Sequence, residues 1–456
     1  MKKIIVISSI ILIAIFSRVL RINTNAHFQA DESRDLVNIH QIFIEKKITL
    51  VGPISDDGNH LFSSLTYYLL LPFAVIFQFD PMGTVIGAVF WGIITFVCFW
   101  LLAIKINRKM LIPAGILAAL WWPLIQTSRW PWNPNFVPLW IALSIYLSLY
   151  KGKKFKFLSG LSAGLALHHH ILAIISAAFV WLRKHSFLWL LGFILAMLPF
   201  VIFDLRHPPG LFFSKMLSYS SGQSFKLTET IPKMISAVKF TNNYLFPGTI
   251  LTTIIFLTAC IIFILDLKNK SKNIYWGISF FLSLGIFLLF NQQPQYLLGS
   301  LPLFWMWLFG PRKKIGQKMV IGLVILICLS SLLKFKNEIF KDDYTGNIKL
   351  LSSVSKIIKD QIDNQKLSNA NLAVLGSVDE DRLGKNYRGV LLTWNTKIKG
   401  PTEYITSDNL FVITQKEVNN LKGDGAAEID GFRNGPVIGV WPISNTNWKV
   451  IQFNRY

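Results

Sequence analysis

Carboxylates are scarce where this chain is most apolar. The first 335 residues hold ten Asp and Glu, and six of those ten fall in one stretch: Asp31, Glu32, Asp35, Glu45, Asp56 and Asp57. Charge of either sign is low, 15% against about 25% in a soluble domain, while apolar residues reach 52%. That deficit excludes a soluble globular protein and defines a polytopic membrane protein. Ionisable residues inside apolar runs mark substrate and ion pathways. Almost none occur here, since Asp80 and Asp266 fall at run ends. Cysteine is also sparse. Cys98, Cys260 and Cys328 lie in apolar runs without CxxC spacing, which excludes a disulfide framework and a cysteine metal site. They read as small buried hydrophobes. There is no internal repeat and no low-complexity stretch.

Basic charge is what the chain has in excess, with a net of +22. Residues 336–456 carry 16 Lys and Arg against 14 Asp and Glu, so +20 of that excess lies in the apolar part. The cations sit in short clusters between apolar runs, which points to membrane topology and not to a nucleic-acid partner. The start, MKKIIVISSIILIAIFSRVL, has the make-up of a signal peptide without a small-x-small cleavage site, so it reads as a retained first helix.

Apolar runs occur near 4–20, 61–79, 83–104, 110–127, 136–150, 157–182, 186–203, 248–267, 274–291, 295–310 and 318–334. If each crossed once, the clusters at 105–109 and 151–156 would face outward, against the positive-inside rule. Two changes repair this. Run 61–79 becomes a juxtamembrane segment, and run 157–182 becomes two short helices turning at His168, His169 and His170. The basic clusters, 18 Lys and Arg, then all face the cytoplasm. The expectation is about eleven spans in a cytoplasmic (inner or plasma) membrane, the N-terminus inside. The first outer loop is 21–82, a second covers 204–247, and an extracytoplasmic domain occupies 336–456. That tail alternates a helical stretch, 348–362, with β-like runs at 372–375, 410–414, 437–441 and 448–453. It reads as a small α/β domain.

In the first outer loop, residues 31–46 place Leu36, Ile39, Ile42 and Phe43 on one face, which predicts a helix lying on the membrane surface. Asp31 and Glu32 fall at its start, where the helix dipole and free N–H groups favour carboxylates. Two readings of Asp31 follow: a helix cap, or a base that takes a proton from an acceptor hydroxyl while nearby cations hold a lipid phosphate. Trp121, Trp122, Trp130 and Trp132 read as an interfacial belt.

A retained first helix, an outer loop in which Asp-Glu-x-Arg opens a surface helix, and a second juxtamembrane segment preceded by His resemble the GT-C glycosyltransferases. The branch is that of the protein O-mannosyltransferases and lipid A aminoarabinose transferases. The resemblance covers about residues 1–310 and makes 1–335 the transmembrane catalytic domain. It matches Asp31 to the family's catalytic aspartate, Glu32 to its acidic neighbour, and Arg34 to an arginine near the lipid phosphate. His60 falls where relatives have His-Pro-Pro or Glu-Lys-Pro, a place of phosphate or metal contact, though this chain has neither the proline nor the lysine. Asn133 stands where relatives often have Asp. Arg206 and His207 match basic residues aimed at the carrier phosphate, and Tyr296 matches a tyrosine lining the lipid groove. The implied activity is inverting transfer of a sugar from a polyprenyl-phosphate donor to a lipid, glycan or protein hydroxyl at the outer membrane face. A divalent cation is the one candidate cofactor. The alternative is a polytopic lipid or sugar transporter or flippase, with the acids as coupling sites.

Overall fold

A computed structural model describes residues 2–54, 61–208, 210, 212, 236, 239, 243–246, 249–287, 294–341, 347–376, 381–422 and 426–455. Among them, four helices are long and apolar enough to cross a membrane: Pro81–Ile106, Phe187–Arg206, Leu251–Lys268 and Lys314–Ile339. Counted as one broken span, the pair Arg108–Leu120 and Trp122–Ser128, bent by 50°, makes five. The bend has a local cause. Pro123 has no N–H to continue the helix, and Trp121 turns extended at φ −65°, ψ 118°. Run 61–79 becomes a short strand, Leu61–Ser63, followed by the 12-residue helix Leu65–Ile76.

By internal contacts the chain forms two units. The first comprises Met1–Leu20, Thr49–Thr66 and Ala88–Phe340. Its core is aromatic: Phe99, Trp121, Phe304, Trp305 and Trp307 are fully buried. Trp121 stacks on Trp305 at 6.0 Å, and its Nε1–H donates to the Leu245 carbonyl at 2.9 Å. Trp121 and the buried Trp122 are therefore core residues and not part of the expected interfacial belt, because their neighbours supply both apolar contact and an acceptor. Trp130 and Trp132 stay half-buried and stack on each other at 4.4 Å.

Run 157–182 breaks where the sequence placed the turn. Lys153–His169 ends as His170 goes extended, and Ala173–Lys184 follows, arms of 17 and 12 residues. Small residues let Lys153–His169 approach Phe187–Arg206 at backbone distance. A Cβ on Gly160 would lie 1.8 Å from the Trp189 carbonyl oxygen, and one on Gly192 would lie 2.1 Å from that of Phe157. Such contacts are the usual glue between helices in lipid, where hydrophobicity offers no drive for association. At the far end of Leu251–Lys268, Asp266 takes Arg312 Nη2 at 2.6 Å and the Trp307 indole N–H at 3.0 Å. Asp80 instead accepts the Met82 N–H at 2.8 Å, opening helix Pro81–Ile106.

The second unit comprises Arg21–Ile48, Tyr67–Gly87 and Lys341–Tyr456. Its sheet joins β3 (Ala370–Val374), β4 (Asn409–Thr414), β5 (Val437–Pro442) and β6 (Lys449–Asn454); β1 (Val51–Ile54) and β2 (Leu61–Ser63) are the small hairpin of the first unit. The order is β3-β4-β6-β5, with β3 and β4 parallel and the other pairs antiparallel. All four expected β-like runs are strands, and the expected helix is Ile348–Gln365. A further helix, Lys385–Thr393, was not anticipated. The N-terminal segments are sewn into this unit: the Lys349 N–H donates to the Asn23 carbonyl at 2.9 Å, and the Ser352 hydroxyl donates to Asp80 at 3.1 Å.

Candidate functional site

The helix expected over 31–46 is Ala30–Glu45. Gln29 precedes it in extended conformation, and the Glu32 carboxylate accepts the Gln29 N–H at 2.8 Å, one arm of a capping box. This removes the cap reading of Asp31. Glu32 closes the helix start and is buried, so Asp31 is not the cap. Glu32, Ser33, Asp35, Leu36 and Ile39 face inward. They meet helix Lys385–Thr393 so closely that a Cβ on Gly389 would lie 2.0 Å from the Ser33 Oγ, and the Ser33 hydroxyl donates to the Asn386 carbonyl at 2.9 Å.

That packing divides the acids by exposure. The Asp31 side chain is 41% exposed, Arg34 35% and Asp35 only 3%. Arg34 bridges the other two: its Nη1 lies 2.9 Å from Asp31 Oδ1, and its Nε and Nη2 each lie 3.0 Å from Asp35 Oδ1. The Tyr67 hydroxyl also donates to Asp35 Oδ1, at 3.2 Å, and itself accepts the Asn38 amide at 3.0 Å. Burial pushes the Asp35 carboxyl up to about 7, against the pull of Arg34 beside it. Asp35 was counted among the loop's acids in the sequence, but nothing there marked it as buried.

Other candidates lie in the first unit or outside the described residues. His60, Asp56 and Asp57 are outside them. Arg206 is the exposed last residue of Phe187–Arg206, and the adjacent His207 stacks on Phe203 at 4.2 Å and donates Nδ1–H to the Phe203 carbonyl at 2.9 Å. Tyr296 packs its ring 5.4 Å from that of His170.

Asn133 is buried, accepts the Thr66 hydroxyl and donates to the His169 carbonyl at 2.8 Å. Trp140 donates its indole N–H to His169 Nε2 at 3.0 Å, so the proton of His169 sits on Nδ1 and points at Thr66 Oγ1, 2.9 Å away. An amide suits this spot because it offers one acceptor and one donor. His168 faces elsewhere, to the Ser63 hydroxyl and the Ala196 carbonyl, each at 2.7 Å. Among the described residues no group of three or more His, Cys, Asp or Glu is placed to hold a metal ion.

No protein-family profile matches the chain, and no curated protein matches it by sequence. The fold, a polytopic helical membrane fold, is nonetheless shared with solved proteins. Two structures of ArnT from Cupriavidus metallidurans have it, one in the apo state at a TM-score of 0.56 and one bound to undecaprenyl phosphate at 0.55. Each is 10% identical to this chain and aligns over 99% of it and 98% of ArnT. The likeness thus runs past residue 310, where the resemblance read from sequence stopped, and takes in the tail.

Proposed function

We propose that this protein is an inverting glycosyltransferase that moves a sugar from a polyprenyl-phosphate donor to an acceptor hydroxyl at the outer face of the cytoplasmic membrane. The observation that carries it is the half-exposed Asp31, held by Arg34 on the first turn of helix Ala30–Glu45, in a fold shared with a protein solved with undecaprenyl phosphate. Asp31 accepts the proton of the acceptor hydroxyl, the freed oxygen bonds to the anomeric carbon, and the bond from that carbon to the phosphate oxygen breaks. The electron pair leaves with the polyprenyl phosphate, whose charge Arg34 meets. Glu32 supports this chemistry by fixing the helix start. The family resemblance adds Arg206, His207 and His60 as phosphate contacts and Tyr296 as part of the lipid groove. The acceptor is a lipid, a glycan or a protein, and eleven spans place the N-terminus inside and the tail outside.

Arg34→Ala is the direct test of the phosphate contact. Charge-assisted hydrogen bonds contribute roughly 1.5–3 kcal/mol, so affinity for undecaprenyl phosphate is expected to fall about tenfold to hundredfold. The variant also leaves Asp35 buried without its cation, so affinity is measured per folded molecule, by titration after size exclusion. Parental affinity in the folded variant removes Arg34 from the phosphate site.

Topology is tested by cysteine labelling in intact cells lacking the three native thiols. A cysteine at Lys153, an exposed position, is expected to resist an impermeant thiol reagent, and one at Ile405, 84% exposed, is expected to react. Labelling at 153 from outside overturns the eleven-span arrangement.

A further inference from the structure

A single guanidinium joins a part-exposed carboxylate of helix Ala30–Glu45, Asp31, to a buried one, Asp35. Arg34 offers its inner edge, Nε and Nη2, to Asp35 and its outer Nη1 to Asp31. Among the described residues, every hydrogen bond to Asp35 lands on Oδ1, while Oδ2 is buried with no partner. A residue present only to neutralise Arg34 would be expected to use both oxygens as a fork. Burying a carboxylate is costly, and leaving one of its oxygens unpaired adds to that cost. A simple Asp31–Arg34 pair would need neither. It would, however, leave the arginine committed to the very carboxylate that must act as the base.

The two ends of the bridge also differ in strength. The Asp31 end is between two part-exposed side chains, where ion pairs are weak and easily exchanged. The Asp35 end is shielded from solvent and supported by the Tyr67–Asn38 pair. Resting on the transferase reading above, we propose that Asp35 is a positioning residue that holds Arg34 by its inner edge, so that an arriving donor phosphate replaces Asp31 on Nη1 and frees Asp31 to act as the base. Loading of the donor and release of the base then become one event, and Asp31 stays neutralised until a donor is present.

The charged groups acting on Asp35 are Arg34, Glu32 and Asp31 on its own helix, and Tyr67 of Leu65–Ile76 donates to it. Lys385–Thr393, packed on the same face, carries Lys385, Tyr387 and Arg388, and Arg388 is turned onto the Leu383, Leu372 and Lys399 carbonyls. Burial, opposed by Arg34, sets the Asp35 carboxyl near 7. Above that pH it is ionised and holds Arg34; below it, the protonated acid lets go. The contribution of Asp35 to phosphate binding is therefore present above about pH 7 and lost as pH falls.

The test is binding of undecaprenyl phosphate by the purified full-length protein between about pH 5.5 and 8.5. Parent, Asp35→Asn and Tyr67→Phe are compared at equal folded concentration. Ionisation of the probe affects all three alike, so the ratio of affinities is read. Parent is expected to bind about tenfold tighter than Asp35→Asn at high pH, the loss of roughly one charge-assisted contact, and the ratio should approach one below neutral pH. Tyr67→Phe removes a hydrogen bond to the ionised carboxylate, so its midpoint should move to higher pH. It carries the test by itself should Asp35→Asn fail to fold. A pH-independent ratio, a tighter-binding Asp35→Asn, or an unmoved Tyr67→Phe midpoint overturns the proposal while leaving the transferase reading in place. A parent that does not bind the probe removes both.

Discussion

Asp31→Asn is expected to lower sugar transfer by roughly 10²–10⁴-fold, the usual loss when a general base is removed, with undecaprenyl phosphate binding retained. Asn keeps the size of the side chain but cannot take a proton. Since Asp31 neither caps its helix nor is buried, stability should hardly change. Binding is expected to hold or tighten, because Asn competes less well than a carboxylate for Arg34 Nη1. Glu32→Gln provides the contrast. That carboxylate closes the helix on the Gln29 N–H, so its loss should appear as about 0.5–2 kcal/mol of stability, with turnover per folded molecule little altered. The measurement is turnover of a radiolabelled polyprenyl-phosphate sugar by each purified variant, alongside thermal unfolding. Parental turnover in Asp31→Asn removes this residue from the mechanism, and equal loss in both variants makes the acidic pair, and not Asp31 alone, the reactive unit.

Gly160→Leu is expected to have the largest effect on folding. Its Cβ would sit 1.8 Å from the Trp189 carbonyl oxygen, and a backbone atom cannot turn aside as a flexible side chain can. Helices Lys153–His169 and Phe187–Arg206 would have to part along their length, breaking the reciprocal contact of Gly192 with Phe157 as well. Overpacking commonly costs about 1–3 kcal/mol and occasionally more. Backbone contact on both helices puts this variant at or beyond the upper end, with loss of folded protein from the membrane fraction. Gly322→Ala is the matched control. A Cβ there meets nothing within 4 Å, so the better helix propensity of Ala should leave stability equal or slightly raised. Size exclusion and thermal unfolding in detergent distinguish the two, and a Gly160→Leu protein as stable as its parent refutes the close helix contact.

The parts of the structure legible in the sequence are those set by local patterning. The period of Leu36 and Ile39 gave away helix Ala30–Glu45, short β-like runs marked all four strands of the tail, and the placement of the basic clusters required the break that falls at His170. What escaped depends on partners far along the chain. Glu32 and Asp31 are indistinguishable as a pair of acids until the extended Gln29 shows which one closes the helix. Asp35 looks like another loop carboxylate, because Tyr67, 32 residues later, supplies its hydroxyl partner. Trp121 has the composition of a belt residue, yet the Leu245 carbonyl and the Trp305 ring make it core. Helix Lys385–Thr393 does not show in the sequence because Val390, Leu391 and Leu392 run together without helical spacing and its inner face carries Gly389 and Arg388, which do not read as a hydrophobic stripe.

The meeting of Ser33 with Asn386 also sets a clock. The two residues are 353 positions apart, and chains are synthesised at about 5–20 residues per second. The helix bearing Asp31, Arg34 and Asp35 therefore emerges roughly 20–70 s before the surface that buries its inner face has been made. The burial of Asp35 is completed only when the last quarter of the chain folds back onto its beginning, so the inner face of this helix waits on the end of synthesis.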